Sequence, residues 1–178
     1  AFILSMPGAP FIYYGDEIGM RYVEGLKSVE GGYNRTGSRS PMQWDDSTNA
    51  GFSSAPASDL YIAMDPDKDR PTAKKEMAAP DSLYHEVKKL IRIRQSHKAL
   101  QSRGKITFVY AEKNAYPLAY IREDGDEKIL VIINAAAEAK TFACVAEPKE
   151  AIYNFGAAAE AKNGKITVPA QSAGFYRI

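Results

Sequence analysis

The sequence predicts an α+β fold in two parts, residues 1–103 and residues 104–178. A continuous apolar run at Phe11–Tyr14 indicates a buried strand in the first part. An apolar stripe within residues 82–99 indicates one amphipathic helix. From Lys105 onward, apolar residues recur with a period of two, which is typical of half-buried strands. The second part is therefore predicted to be an all-β antiparallel sandwich.

The predicted strand at Phe11–Tyr14 lies between a proline-containing turn and a Gly-Asp turn. Gly15, Asp16 and Glu17 follow it directly, at the end where the strands of α/β sheets bind ligands. Adjacent residues that leave a strand point to opposite sides. Asp16 and Glu17 are therefore not expected to face one ligand as a catalytic pair.

No sustained periodicity extends from Arg21 to about Ala79, and glycines and prolines interrupt this stretch throughout. A loop of this length inside a compact domain is usually functional or disordered. Four acidic residues within it partly match the spacing of a calcium loop: Asp65, Asp67, Asp69 and Glu76. Because Arg70 replaces the glycine that such a loop needs, we predict a solvated turn and no metal site.

The predicted helix carries its apolar side chains at spacings that place them on one face: Leu83, Val87, Leu90 and Ile91. Ser82 and its neighbours offer oxygens that can cap the start of the helix, and Gly104 follows its end. Its two histidines have no second ligand at metal-binding spacing, so they are predicted to lie at a surface or an interface.

In the second part, residues 116–122 and 128–134 are predicted to form a hairpin around an Asp-Gly turn. Because Ile129–Ile133 is apolar on both faces, it is predicted to be a central strand. Further short strands are predicted at 140–145, 150–153, 164–168 and 173–178. The predicted core includes Ile129, Val131, Ile133, Phe142 and Cys144.

Composition excludes several classes of protein. The formal charge of +1 gives no indication of a nucleic-acid or membrane partner. No apolar run reaches the roughly 18 residues of a membrane helix. The single cysteine, Cys144, is predicted to be a buried, inert thiol. No phosphate-binding glycine pattern is present, and no cofactor is predicted.

Two separated motifs resemble the α-amylase family of glycoside hydrolases, which are (β/α)8 barrels, or TIM barrels. The segment PGAPFIYYGDEIGM at residues 7–20 is similar to the eighth barrel strand and the loop after it. The segment RSPMQWD at residues 39–45, with NAGFS at 49–53, is similar to the long loop before the eighth helix. This form of the loop is typical of oligo-1,6-glucosidases, trehalose synthases and some α-amylases.

The resemblance implies that residues 1–103 are the last strand, long loop and last helix of the barrel, and that residues 104–178 are the β-sandwich after it. It also implies that the chain belongs to a longer protein whose earlier barrel portion is a missing partner. The three catalytic carboxylates of this family lie on strands four, five and seven. This chain is therefore expected to contain no catalytic residue, and Gly15, Asp16 and Glu17 are expected to be structural residues near the site.

By the same resemblance, Arg39 is expected to lie near the innermost sugar subsite of the parent enzyme, paired with a carboxylate. Tyr14, Gln43 and Trp44 are further candidates for substrate binding. For Arg39 and Trp44 the alternative is that the side chain only anchors its own loop.

The resulting functional hypothesis is the carboxyl-terminal portion of a retaining enzyme active on α-glucans or oligosaccharides. One alternative is a free-standing, non-catalytic carbohydrate-binding or scaffold module. Within the enzyme hypothesis, the alternative is a glucosyl isomerase of the trehalose synthase type. The resemblance leaves the cellular location open.

Overall fold

The computed structural model describes all 178 residues, which divide into two compact units. One unit comprises residues 1–11 and 90–178, and the other comprises residues 12–89. The chain forms the helices α1 (Phe2–Ser5), α2 (Ala73–Ala78) and α3 (Leu83–Ser96). Its strands are β1 (Lys105–Tyr110), β2 (Leu118–Asp124), β3 (Glu127–Asn134), β4 (Lys140–Ala143), β5 (Ala151–Phe155), β6 (Glu160–Lys162), β7 (Lys165–Val168) and β8 (Ser172–Arg177). Division into domains at residue 103 stays a prediction.

The unit of residues 1–11 and 90–178 is built on two antiparallel sheets. A five-stranded sheet has the order β1-β2-β3-β8-β5, and a three-stranded sheet has the order β4-β7-β6. The hairpin of β2 and β3 turns at Gly125, where φ is +60°. The predicted antiparallel sheets are confirmed. The short strand β6 is an addition to the predicted set.

Strand β3 is central because both of its faces are buried. Ile129 and Val131 lie in one core cluster, together with the helical residues Leu90 and Leu100. Leu130 and Ile132 lie in a second cluster, which includes residues of the three-stranded sheet: Phe142, Ile166 and Val168. Helical segments thus cover one face of the large sheet and the small sheet covers the other, which explains the continuous apolar run in β3.

All five predicted core residues take part in these clusters. Ile129, Val131, Phe142 and Cys144 are buried. Ile133 is only partly buried, and it packs against the cluster on the helical side. Cys144 is a free thiol in the cluster between the two sheets.

Two buried arginines bind backbone carbonyls rather than carboxylates. Arg122 has no exposed surface and donates to the carbonyls of Ser5, Gln101 at 2.7 Å, Gly104 at 3.0 Å and Lys105 at 3.3 Å. Arg94 donates to the carbonyls of Leu4 at 3.0 Å, Met6 at 2.8 Å and Gly8 at 2.6 Å. Burial, together with the nearby charge of Arg94, lowers the pKa of Arg122 from its ordinary value. We call Arg94 and Arg122 the arginine pair; they hold residues 4–8 in this unit.

A histidine–carboxylate contact holds the start of β3 to the turn after α3. Glu127 Oε1 lies 2.6 Å from His97 Nδ1, and Glu127 Oε2 accepts a hydrogen bond of 2.8 Å from the Ala99 N–H. Partial burial acts to raise the pKa of Glu127, but the hydrogen bonds from Ala99 and His97 outweigh it and lower this pKa below its usual range.

We expect Glu127→Gln to lower the melting temperature of the chain by a few degrees at pH 7. The change removes charge-assisted hydrogen bonds while it keeps the size of the side chain, a loss of roughly 1 kcal/mol. A carboxyl with a lowered folded-state pKa stabilises the fold above its unfolded pKa, and it loses that effect as the pH falls through the folded value. The difference in melting temperature between the unmodified chain and Glu127→Gln should therefore shrink below about pH 4. Thermal unfolding followed by circular dichroism measures it. Glu123→Gln is the control, because Glu123 makes only an exposed 3.6 Å contact with Lys128.

The unit of residues 12–89 contains little regular structure. Short 3-10 turns and the helix α2 surround a small core of Ile18, Met42 and Ala73, with Met20 against it. Thr72 caps the start of helix α2, because its hydroxyl accepts a hydrogen bond from the Lys75 N–H at 3.3 Å. This helix was not predicted, since only six residues form it.

The strand predicted at Phe11–Tyr14 is wrong for this chain. These residues join no sheet, and 88% of the surface of Phe11 is exposed. A parallel strand is stabilised by hydrogen bonds to neighbouring strands, and none of the strands of this chain pairs with the segment. The predicted helix is confirmed as α3, although it ends at Ser96 and a separate 3-10 turn follows at Lys98–Leu100. None of the helices has the length and apolar character that crossing a membrane would need.

Candidate functional site

The main candidate site is a cavity of about 440 Å³ within the unit of residues 12–89. Its lining comprises Tyr14, Glu17, Arg39, Pro41, Met42, Trp44, Phe52, Tyr61 and Ile62. The lining is dominated by aromatic and aliphatic side chains, and Glu17 and Arg39 are its charged members. Ligand sites commonly have volumes of roughly 300–1,000 Å³ and combine apolar walls with a few polar groups. We name this space the main cavity.

One wall of the main cavity is formed by the segment of residues 39–45. The carbonyls of Gln43 and Trp44 accept hydrogen bonds from the first N–H groups of α2, at 2.8 Å from Ala73 and 2.9 Å from Lys74. The Trp44 N–H donates to the Ala50 carbonyl at 2.8 Å. The backbone of Trp44 is thus fixed on both sides, while its indole ring is half exposed and lines the cavity.

The turn at Gly15 positions a second wall. Gly15 has φ +90°, and a Cβ there would lie 2.4 Å from the sulfur of Met20, so only glycine fits. Glu17 Oε2 accepts a 2.8 Å hydrogen bond from the Gly15 N–H, and Asp16 Oδ2 accepts one of 3.1 Å from the Tyr13 N–H. Both carboxylates therefore bind backbone groups of their own turn, and only Glu17 also lines the main cavity.

Tyr14 and Arg39 are neighbours at the main cavity. The Tyr14 hydroxyl donates to the Ser40 carbonyl at 3.1 Å. Burial, with a contribution from Tyr13, raises the pKa of Tyr14 to about 12, although the positive charge of Arg39 acts in the opposite direction. Tyr14 is therefore a neutral phenol near neutral pH. Arg39 takes part in none of the ion pairs of the chain, so its charge is available at the cavity.

Gln43 differs from the other predicted site residues. Its side chain has no exposed surface and does not line the main cavity. Neither its Oε1 nor its Nε2 has a hydrogen-bond partner in the chain. The structure thus brings Tyr14, Arg39 and Trp44 together, and it turns Gln43 into the interior. Gln43 therefore does not line the main cavity in this chain, and its role in substrate binding stays a prediction.

The acidic stretch near residue 65 also differs in part from its prediction. Asp65 is buried rather than solvated. Arg21 contacts Asp67 at 3.0 Å and Asp65 at 3.7 Å, so a guanidinium occupies the side of the turn where these carboxylates converge. A hydrogen bond from the Asp69 N–H, together with the charge of Arg21, lowers the pKa of Asp67 below its usual range.

The sequence analysis missed several residues that line the main cavity. Phe52 belongs to the motif at residues 49–53, which therefore carried a signal for it. Tyr61 and Ile62 lie in a stretch without periodicity, where no sequence signal marked them. Tyr61 is 53% exposed and Phe52 is 49% exposed, so both rings can meet a ligand face.

Comparison with known proteins defines the class to which this arrangement belongs. Residues 1–103 match the family described as alpha amylase, catalytic domain. The chain therefore belongs to the α-amylase family. The resemblance based on residues 7–20 and 39–45 is thereby confirmed.

Particular relatives narrow the comparison. The chain is 29% identical to a glucan 1,6-alpha-glucosidase of Streptococcus pneumoniae, over 92% of this chain and 35% of that protein. It is 32% identical to a trehalose synthase of Thermus thermophilus, over 80% of this chain and 14% of that protein. The crystal structure of the trehalulose synthase MutB from Pseudomonas mesoacidophila matches with a TM-score of 0.81 at 27% identity, over 99% of this chain and 36% of that chain. The chain thus spans about a third or less of the length of these relatives.

Proposed function

We propose that this chain is the carboxyl-terminal portion of a retaining α-amylase-family enzyme that acts on α-glucosidic bonds. In this proposal, residues 11–14 complete a (β/α)8 barrel as its eighth strand and α3 is its eighth helix. The sheets of residues 104–178 form the domain that follows. The exposed run at Phe11–Tyr14 supports the proposal, because an apolar segment without strand neighbours is expected to pair with strands of a preceding portion.

The main cavity is the observation that carries the functional part of the proposal. Half-exposed rings of Trp44, Phe52 and Tyr61 offer flat apolar surfaces, on which the CH-rich face of a sugar can lie. The guanidinium of Arg39 supplies two parallel donors for a carboxylate or for sugar hydroxyls. An aromatic cavity lined by one cation and one anion, Arg39 and Glu17, fits a neutral, hydroxyl-rich ligand.

The reaction itself needs groups that we place outside this chain. Retaining glycosidases use two carboxyls about 5–5.5 Å apart, one as nucleophile and one as acid and base. Asp16 and Glu17 are both engaged with their own turn and are not proposed as that pair. In the proposal, this chain shapes the substrate rim, and the preceding barrel portion carries the catalytic carboxylates.

We expect the enzyme that contains this chain to cleave p-nitrophenyl α-glucoside, and the purified 178-residue chain alone to leave it intact. Without positioned carboxylates, the acceleration of about 10⁶-fold or more that enzymes provide has no source. Release of p-nitrophenol, followed by absorbance, measures both proteins. Turnover by the chain alone that disappears in Asp16→Asn or Glu17→Gln would contradict the proposal, as would an inactive longer protein.

A glucosyl isomerase is the second candidate, because two of the relatives named above are synthases, of trehalose and of trehalulose. The same enzyme preparation distinguishes the two. Incubation with maltose yields glucose if the enzyme is a hydrolase, and it yields an isomeric disaccharide if the enzyme is an isomerase. Chromatography of the products gives the answer. If the protein bound maltose but transformed no glucoside, the result would favour the alternative hypothesis of a carbohydrate-binding module.

A further inference from the structure

The hairpin of strands β6 and β7 turns on an asparagine–glycine pair that has no part in the proposed function. Lys162 at the end of β6 pairs with Lys165 at the start of β7, so Asn163 and Gly164 alone form the turn. Their φ angles are +53° and +69°. A type I′ turn needs positive φ at both of its central residues, and Asn-Gly is a sequence that such turns prefer.

The side chain of Asn163 is free to react. It is exposed and makes no hydrogen bond within the chain. Three other asparagines have their side chains engaged: Asn49 and Asn134 donate to backbone carbonyls, and Asn154 accepts from the hydroxyl of Tyr176. The Asn163 amide therefore has no contact that would restrain its rotation toward the following residue.

The backbone nitrogen of Gly164 is accessible as well. Its N–H donates to no group of the chain, although the Gly164 carbonyl accepts a hydrogen bond of 3.0 Å from the Cys144 N–H. Nothing lies within 4 Å of the place that a Cβ of Gly164 would take. Strand β6 has only three residues, all exposed, at the edge of its sheet. Such a short edge strand can open locally, and this allows the Gly164 nitrogen to approach the Asn163 side chain.

Two ammonium groups flank the turn. Lys162 and Lys165 lie directly opposite each other, and like charges in this arrangement weaken the pairing of two strands. Both are exposed, and neither takes part in an ion pair of the chain. Their positive charge also favours the negative charge that develops on the Gly164 nitrogen when it loses its proton.

We propose that Asn163 is a site of spontaneous covalent modification, at which the Gly164 nitrogen attacks the side-chain amide carbon. The new C–N bond closes a succinimide ring. The side-chain nitrogen leaves as ammonia, and it takes up the proton that Gly164 gives up. Water then opens the ring at either of its carbonyls, which yields aspartate or isoaspartate. This inference goes beyond the proposed function and does not depend on it.

The isoaspartyl product should disrupt the hairpin. It lengthens the main chain of the turn by one methylene, whereas a two-residue loop fixes the register of its strands. Strand β7 carries Ile166 and Val168 into the cluster between the two sheets. The aspartyl product should keep the hairpin, because Asp-Gly is also a preferred sequence of type I′ turns.

The test is incubation of the protein that contains this chain at mildly alkaline and at mildly acidic pH, followed by peptide mapping with mass spectrometry. Asn114 is the internal control, because it is also exposed, has φ +58° and makes no side-chain hydrogen bond. Ala115 follows it, and the Ala115 N–H donates to the Glu112 carbonyl at 3.3 Å. We expect Asn163 to convert at least tenfold faster than Asn114, which requires a barrier lower by about 1.4 kcal/mol. The rate at Asn163 should rise with pH, because the deprotonated nitrogen attacks.

The consequence for the hairpin is measured by hydrogen exchange with mass spectrometry. The variant Asn163→Gly removes the reactive amide and keeps a residue that accepts positive φ. We expect faster exchange over β6 and β7 in the incubated unmodified protein, and unchanged exchange there in incubated Asn163→Gly.

Other results overturn the inference. An Asn163 that stays intact at alkaline pH, or that converts no faster than Asn114, would mean that the turn and Gly164 give no advantage. Aspartate without isoaspartate would exclude the succinimide, because its ring opens to both products. Equal changes in exchange in the unmodified protein and in Asn163→Gly would show that the modification does not disrupt the hairpin.

Discussion

Arg39→Ala is expected to lower kcat/KM on an α-glucoside by about 30-fold or more in the enzyme that contains this chain. Arg39 lines the main cavity and makes no ion pair within the chain, so its partner is proposed to be a carboxylate of the preceding portion. Truncation of one member of a buried charge pair typically costs about 2–5 kcal/mol, and each 1.4 kcal/mol changes a rate constant about tenfold. Steady-state kinetics on p-nitrophenyl α-glucoside measure the effect.

Two further variants separate a subsite role of Arg39 from a structural role. Arg39→Lys should restore activity only in part, because an ammonium group cannot make two parallel contacts with a carboxylate. Arg103→Ala removes an exposed arginine outside the main cavity and should leave kcat/KM unchanged. Thermal unfolding of the 178-residue chain should hardly respond to Arg39→Ala. If the Arg39→Ala enzyme kept the kcat/KM of the unmodified enzyme, Arg39 would have no subsite role and would only anchor its loop.

The sheets could be predicted because their signal is local. Alternation along β1, the Asp-Gly turn between β2 and β3, and the apolar run of β3 are each visible within a few residues. The packing of helical residues on one face of the large sheet could not be predicted from local sequence patterns. Leu4 and Leu100 are distant in sequence, and only the folded chain brings both to the same face.

The strand predicted at Phe11–Tyr14 shows where a local signal is insufficient. The apolar run describes a segment that is suited to burial, whereas a strand also needs neighbours on its edges. Those neighbours are not among the strands of this chain, and the segment stays exposed. The apolar run therefore fits the neighbouring strands that we propose for the longer protein. The structure shows the same segment without those strands, and there it is exposed.

The candidate site could be predicted where a motif carried it and not elsewhere. Arg39 and Trp44 lie in one contiguous motif, and the structure places both at the main cavity. The same motif suggested Gln43, but motif membership does not distinguish a side chain that faces the cavity from one that faces the interior. Tyr61 reaches the cavity through its bridge to the turn at residues 28–31, a pairing between two stretches without periodicity.

Arg122→Met is expected to destabilise the chain by roughly 3–5 kcal/mol, with a fall in melting temperature of about 10 °C. Methionine fills much of the volume of the arginine side chain but donates no hydrogen bond. Four carbonyls lose a donor in this variant: those of Ser5, Gln101, Gly104 and Lys105. Each carbonyl left unpaired in the interior costs about 1–3 kcal/mol of stability. The total loss is smaller than four times this cost, because some of these carbonyls can shift and bind water.

The effect of Arg122→Met should be concentrated where the arginine pair binds. Hydrogen exchange followed by NMR should show faster exchange at Met6 and Gly8, since one of the two arginines that bind the carbonyls of residues 4–8 is then lost. Arg177→Met is the control on strand β8 of the same sheet, because Arg177 is half exposed and its ion pair is with the exposed Glu150 at 3.1 Å. Such a pair contributes about 1 kcal/mol or less. If Arg122→Met melted within about 2 °C of the unmodified chain, the carbonyl contacts of the arginine pair would not be what holds the amino-terminal segment.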